Sequence, residues 1–380
     1  MKILLVGEYS RLHNTLKEAL ILLGHEVEIA GSGDGFKNFP VDYNFEAQWS
    51  QKPFLRFINK FTNRIFRLNL DFLERGIRFY FIHKRFQNYD LVQLINEAPI
   101  QTVLPLEKYL LKKLFQHNKT VFLLSCGIDY ACLHYMMQRQ FRYSLLDPYF
   151  KDSSLIYEYD YVLKYVNESH RKLHNFVYQR INGVIASDMD YAIPLRENPK
   201  FLGLISNPIN IGLLPYKVPN IEQKIIIFMG INRLNYHKKG IPFFEKALAI
   251  IEQKYPTKVQ VIITENIPYQ QYIKLYDEAH ILLDQIYAYD QGYNALEAMA
   301  KGKVVFTGAE TEFMDHYTLT KRVAINALPD VNQIVAELSY LIENPTEIVT
   351  ISHRARAFVE QEHDYLKVAE KYLSTWKLAQ

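Results

Sequence analysis

The chain has 380 residues and a mass of 44.8 kDa, a length that suits two domains better than one. Its 49% hydrophobic and 22% charged residues can fill a core in each half, which excludes a disordered or fibrous protein. A net charge of only +3 argues against a nucleic-acid partner, and just two cysteines, Cys126 and Cys132, exclude a disulfide framework and suit a reducing, cytosolic setting.

Met1-Lys2 leads straight into ILLVG, an apolar run too short for a signal-peptide core or a membrane span. Residues 2–6 read as a buried strand. Residues 15–23 read as an amphipathic helix with Leu16, Ala19, Leu20 and Leu23 on one face, and 26–30 as a second strand. This is the βαβ opening of an α/β domain. No G-x-G-x-x-G follows Val6. The glycines of 31–35 form a loop, either mobile or in contact with an acceptor.

Residues 54–85 interleave Arg56, Lys60, Arg64, Arg67, Arg75, Arg78, Lys84 and Arg85 with aromatic and aliphatic side chains, and the only acids are Asp71 and Glu74. The pattern predicts one or two helices with an apolar and a basic face. Such helices either lie in an anionic membrane interface or pack their apolar side on the sheet. Strands follow at 91–95, 120–124 and 183–187, with helices at 103–115 and 168–180; 143–165 is acidic and aromatic, an insertion near an acceptor. Asp188 and Asp190, just past a strand, either cap a helix or hold a divalent metal; capping is the expectation.

Residues 208–222 read as a linker, after which the βα rhythm restarts. Strand 225–229 leads to Gly230 and Arg233, and Lys238-Lys239-Gly240 opens helix 241–252. Strand 259–263, helix 269–278 and strand 281–283 precede the stretch from Asp284 to Gly308: a polar loop with Gly292, a helix over 294–300 closed by Gly302, and a strand. Residues 323–325, a helix over 331–343 and a closing helix over 345–376, broken near His363, complete the chain. Cations at a strand's carboxyl end, facing the next helix, suit phosphate oxygens, which nominates Arg233, Lys238 and Lys239. Glu297 can accept hydrogen bonds from two ribose hydroxyls. Ligands of open α/β sheets bind beyond the carboxyl ends of strands, so one nucleotide could touch all of these residues.

On these residues the second half resembles retaining GT-B glycosyltransferases, in particular glycosyltransferase family 4. Gly230, Arg233, Lys239 and Gly240 match the opening of that family's donor domain. Gln291 to Gly302 keeps the second half of its E-G-F-G-L-P-x-x-E-A-M-A-x-G motif, and Gly24-His25-Glu26-Val27 is similar to its usual helix-to-strand corner. The resemblance implies an α/β, GT-B architecture: a Rossmann-like acceptor domain over 1–207, the linker, a Rossmann-like donor domain over 223–362, and a helix over 363–380 returning to the first domain. Arg233 and Lys239 would hold the donor diphosphate and stabilise the leaving group, with Lys238 as a competitor for that role. Glu297 would bind the ribose, Gly292 would let backbone approach the donor, and Gly230 belongs to the same donor-binding set. Residues 264–269 would flank the base. The family's first Glu falls on Tyr289, and Asp290 would take over its contact with the transferred sugar. The family's His-Asp pair is reduced to Asp129, which would orient the acceptor.

The implied activity is retaining hexosyl transfer from a nucleotide diphosphate sugar to a saccharide or lipid-linked acceptor, in cell-surface glycan synthesis. No metal or other cofactor is expected. The protein would be cytoplasmic, peripheral on the inner membrane face through 54–85. The alternatives are a GT-B nucleotide-sugar epimerase and a non-catalytic GT-B scaffold.

Overall fold

The computed structural model describes residues 1–35, 38–66 and 69–379, without the side chains of 60, 61, 63–66 and 269. Lys60, Arg64, Arg67 and their apolar neighbours in the predicted basic segment therefore lie, as side chains, outside the described residues. The first domain begins with β1 (Lys2–Val6), α1 (Leu12–Leu22), β2 (Glu26–Gly31) and β3 (Tyr43–Asn44). The basic segment forms two helices, α2 (Pro53–Phe66) and α3 (Leu70–Ile82), the second capped by the Asn69 side chain on the Asp71 N–H. Next come β4 (Leu91–Leu94), α4 (Leu104–His117) and β5 (Val121–Ser125). After α5 (Tyr130–Met137), the acidic, aromatic stretch folds into short helices, α6 (Asp147–Lys151) and α7 (Ile156–Leu163). The domain closes with α8 (Glu168–Tyr178), β6 (Gly183–Ala186), α9 (Met189–Leu195) and β7 (Phe201–Leu204).

The second domain starts at β8 (Ile225–Ile231) and continues through α10 (Ile241–Lys254), β9 (Val259–Glu265), α11 (Tyr269–Glu278) and β10 (Ile281–Leu283). The stretch from Asp284 to Gly308 contributes α12 (Tyr293–Ala300) and β11 (Val304–Thr307). After α13 (Thr311–His316), β12 (Ile325–Asn326) and α14 (Val331–Glu343), the predicted closing helix is two helices, α15 (Pro345–Glu362) and α16 (Tyr365–Leu378). They part at His363, and Asp364 caps the second by accepting from the Leu366 and Lys367 N–H groups.

Both sheets are parallel. The first has seven strands in the order β3-β2-β1-β4-β5-β6-β7, the second five in the order β12-β11-β10-β8-β9. Parallel strands covered on both faces read as unbroken apolar runs, and β1, β5, β8 and β11 do so. One face of the first sheet carries Ile3, Leu5, Phe122, Leu124 and Ile185 against α1 and α16. Trp376 of α16 is fully buried there, stacked on Phe122 at 6.4 Å, and its Nε1 donates to Gln93 Oε1 at 3.2 Å. The chain thus crosses between domains twice. The crossings are bridged where the Ile209 N–H donates to the His363 carbonyl at 2.7 Å and His363 Nδ1 bonds the Asn207 carbonyl at 2.9 Å.

Candidate functional site

The loops after β1, β4, β5 and β6 open onto one cleft and line a cavity of about 540 Å³, with Tyr9, Asn96, Gly127, Asp188 and Lys164 among its walls. Gly292 and Tyr293 reach this cavity from the second domain. A smaller cavity of about 230 Å³ shares Ile128, Asp188, Tyr191 and Gly292 with it and extends to Gln285, Tyr287 and Asp290. The carboxyl ends of both sheets therefore meet at a continuous hollow, where a doubly wound fold binds ligands.

On the donor side, the loop after β8 carries the predicted cations. The Arg233 guanidinium is held by Glu265 at the end of β9, Nε to Oε1 and Nη2 to Oε2 both at 2.8 Å. Lys239 Nζ donates to Asp284 Oδ1 at 3.0 Å, and Asn294 Nδ2 donates to the same oxygen at 2.9 Å, which ties the β8 loop to the end of β10 and to α12. Glu297 is exposed on α12, three residues past Asn294 and so on the same side of the helix. Burial above all, and then the Glu297 charge, hold the Tyr276 hydroxyl well above its ordinary value, so this carboxylate stands near α11. A Cβ on Gly230 would come within 2.7 Å of the Tyr272 ring, so only glycine lets α11 close on this strand end. Thr264, on the expected base side, has a buried Oγ1 without a hydrogen-bond partner among the described residues.

Lys238 and Lys239 part company. Lys238 is buried, its Nζ donating to the Glu158 carbonyl at 3.0 Å and lying 5.1 and 5.0 Å from the rings of Tyr159 and Tyr161. Burial lowers its pKa, against the pull of Glu158. It fastens α7 to the donor domain, whereas Lys239 keeps its ammonium at the strand end.

Three carboxylates meet across the domain boundary. Asp188, Asp190 and Asp290 each bring an oxygen within 4.8 Å of the others. Asp290 Oδ2 accepts from the Met189 N–H at 3.0 Å, and Asp190 Oδ2 accepts from the Tyr289 N–H at 3.1 Å, so each domain's acid takes a backbone N–H of the other. Burial pushes all three upward, Asp190 to about 7. Asp188 occupies the N-cap position of α9, where the Asp190 and Tyr191 N–H groups favour its charged form, and its Oδ2 accepts from Ser187 Oγ at 3.3 Å. Hard oxygens so close together are the residues that could hold a divalent cation.

Asp129 stands behind the cleft wall rather than in it. It is 1% exposed and caps α5, accepting from the Cys132 N–H at 2.8 Å and from Ser125 Oγ at 2.5 Å. Burial first, then the Glu97 charge, raise it to about 7. Both of its oxygens are engaged within the first domain and it lines neither cavity, which argues against the acceptor-orienting role expected for it. Tyr289 is also buried, its hydroxyl accepting from the Arg142 N–H at 2.9 Å. Sequence reasoning missed Arg142: its guanidinium crosses the cleft to Glu310 at 2.7 Å and Glu312 at 2.6 Å, and Tyr143 bonds Glu310 as well. Glu310 follows β11 as Asp284 follows β10, so its strand-end position was a usable signal. Arg142 carried none.

Residues 235–374 match a protein family described as glycosyl transferase-like. No curated protein sequence matches the chain significantly. Among solved structures, sucrose-phosphate synthase from Thermosynechococcus elongatus is similar over 100% of this chain and 99% of its own, at 14% identity and a TM-score of 0.63. Anabaena HepE, solved in complex with UDP-glucose, is similar over 99% of each chain, at 13% identity and a TM-score of 0.60. UDP-GlcNAc 2-epimerase from Neisseria meningitidis, solved with UDP-GlcNAc, is similar over 99% of each chain, at 15% identity and a TM-score of 0.54. The chain has the two-domain GT-B fold of these proteins.

Proposed function

We propose that this GT-B chain is a glycosyltransferase that moves a sugar, with retention, from a nucleotide diphosphate sugar bound by the second domain to an acceptor in the larger cavity. The observation that carries the reading is the donor-side assembly. Lys239, Asp284 and Asn294 are joined by hydrogen bonds, Glu297 shares the helix of Asn294, and Arg233 stands at the neighbouring strand end. Glu297 takes the ribose hydroxyls, and the donor diphosphate draws Lys239 and Arg233 partly away from their carboxylates. In the transfer, the bond from the anomeric carbon to the diphosphate oxygen breaks and a new bond to the acceptor oxygen forms on the same face. The acceptor's proton passes to the departing phosphate. Lys239 and Arg233 neutralise the charge that grows on that phosphate, where fixed cations contribute most. The smaller cavity, between Gly292 and Gln285, receives the sugar. Saccharide or lipid-linked acceptors of a cell-surface glycan at the cytoplasmic face of the membrane fit this reading.

The test is thermal stabilisation by UDP, GDP and ADP and their sugars, since a ligand that binds only the native state raises its melting point. At least one nucleotide should stabilise the wild type, and Glu297→Ala and Arg233→Ala should each lose most of that shift. No shift with any of them, or no change in the variants, rejects the donor site. A second reading, nucleotide-sugar epimerisation, draws support from Asp188, Asp190 and Asp290, raised carboxyls able to exchange protons beside the sugar cavity. Donor alone in deuterium oxide separates the two: deuterium entering the sugar without an acceptor favours the epimerase.

A further inference from the structure

Among the described residues, no helix is long and apolar enough to cross a membrane. One face of the first domain nonetheless leaves large apolar side chains exposed beside cations. Helices α3, α4 and α8 form adjacent rods on the side of the sheet opposite α1 and α16. Gly76 makes the first contact close: a Cβ there would strike Thr102 and Leu106 at the start of α4. Outward from this packing, the end of α3 leaves Ile77, Tyr80 and Phe81 in solvent, Phe81 at 72% exposure. Phe54 and Phe57, three apart on α2, are 76% and 73% exposed. Buried area stabilises a fold; aromatic rings left this bare stabilise nothing until something covers them.

The charge beside these rings is one-sided. The acid of α4, Glu107, is buried and accepts from the Ile100 and Thr102 N–H groups, so the outer side of that helix shows Lys108 and Lys112 without a balancing carboxylate. The acids of α3 do not balance it either: Glu74 is buried on the Gln48, Trp49 and Ser50 N–H groups, and Asp71 bonds Asn59. Glu168 of α8 pairs with Arg171 and Lys172. Between α4 and α8 runs a groove of about 400 Å³ lined by Lys108, Lys112, Lys172, Asn175, Phe176 and Arg180. The Phe176 ring holds two of these cations to the groove wall, Lys108 at 5.1 Å and Arg180 at 4.1 Å. Tyr109 connects the groove to the bare rings, its own ring 6.4 Å from that of Tyr80.

We propose that this face docks on a bilayer containing anionic lipids, with Ile77, Tyr80 and Phe81 inserted among the acyl chains and a headgroup phosphate seated in the groove between α4 and α8. Shallow apolar insertion beside clustered cations is how interfacial proteins bind, and neither part alone holds firmly. The same helices border the cleft, since Phe72 of α3 and Leu104 of α4 line the larger cavity. An acceptor anchored in lipid would meet that cavity at the membrane surface. The docking itself does not depend on the donor reading.

The experiment is sedimentation of the full chain with vesicles of phosphatidylcholine alone and of phosphatidylcholine mixed with phosphatidylglycerol, over a range of salt. Binding should require phosphatidylglycerol and weaken as salt rises. Neutralising two cations in Lys108→Gln/Lys112→Gln should cost about thirtyfold in affinity, on the order of tenfold or less per surface cation. Ile77→Ser/Phe81→Ser, at exposed positions that leave the fold intact, should release the salt-resistant fraction. Circular dichroism and melting point confirm folding of both variants. Equal binding to neutral vesicles, no binding, or variants indistinguishable from wild type overturns the proposal. So does capture by heparin or RNA with no sedimentation on vesicles, which would make the groove a site for a soluble polyanion. A dimer dissolved by the serine substitutions, again without vesicle binding, would assign the rings to self-association.

Discussion

At single residues, candidates for a donor site could be named because they lie at strand ends of one continuous stretch of sequence. Arg233, Lys239 and Glu297 could be nominated from their place in the βα rhythm, and Gly230 from the family resemblance. Asp290 could be nominated but not understood, since its partners Asp188 and Asp190 come from the other domain. Asp129 misled for a related reason: an acid after a strand reads alike whether its carboxylate faces a ligand or caps the next helix. Its buried state has a measurable consequence. A carboxyl raised from 3.8 to about 7 keeps its proton longer in the folded chain than in the unfolded one. Its contribution to stability is thus fully present below its ordinary value and lost as pH rises through about 7. Asp129→Asn, which retains an acceptor for the Cys132 N–H, should flatten the decline in melting temperature between about pH 4 and pH 7, the window this shift spans. Gly292 offers a complementary measurement. Around its missing Cβ the nearest atom is Gln285 Nε2 at 4.0 Å, and its backbone is ordinary. Gly292→Ala should change stability by about 0.5 kcal/mol or less. Any larger fall in nucleotide-sugar affinity then reports the donor itself against that position.

Among elements, the long periodic helices and the apolar strands declared themselves, and the short ones did not. Helices α6 and α7 bury Tyr159 and Val162 and are positioned by contacts with the donor domain, such as His237 Nδ1 to Glu158 at 2.8 Å, so their own sequence carried only an aromatic, acidic composition. The two-helix form of the basic segment and a membrane-facing role were each foreseen as options, but not which rings stay bare, because the exposure of Phe81 depends on how α3 meets α4. That meeting can be tested at Gly76. A methyl group there improves helix propensity by about 1 kcal/mol. Forcing it against Thr102 and Leu106 costs about 1–3 kcal/mol, so Gly76→Ala should be net destabilising in urea unfolding despite being the better helix former. Stabilisation by Ala would mean that the helices are more loosely seated.

For the whole molecule, the alternation of strands and helices made the two-domain α/β architecture legible, and the break near His363 located the return crossing. What no local pattern could convey was how firmly the domains are joined. Arg142 to Glu310 and Glu312, the paired backbone bonds of Asp190 and Asp290, and the bridge between Ile209 and His363 all link residues far apart in sequence. The tie through α16 is the one most open to measurement. Trp376→Ala removes a fully buried ring and leaves Gln93 Oε1 without its donor, and should cost about 3–5 kcal/mol in denaturant unfolding. A loss of less than about 1 kcal/mol would show that α16 is dispensable to the first domain.

Gln93 and Trp376 are 283 residues apart in the chain, yet they share one wall of the first domain. During translation, that domain emerges first and its covering helix long afterwards. Until α16 arrives, the apolar face that includes Ile3, Leu5, Phe122 and Leu124 is covered on that side by α1 without Val368, Tyr372 and Trp376, and the first domain cannot finish before the second has been made. Its yield in a cell should therefore depend on the chaperones that shield nascent chains, and on the pace of synthesis, more than its equilibrium stability would suggest.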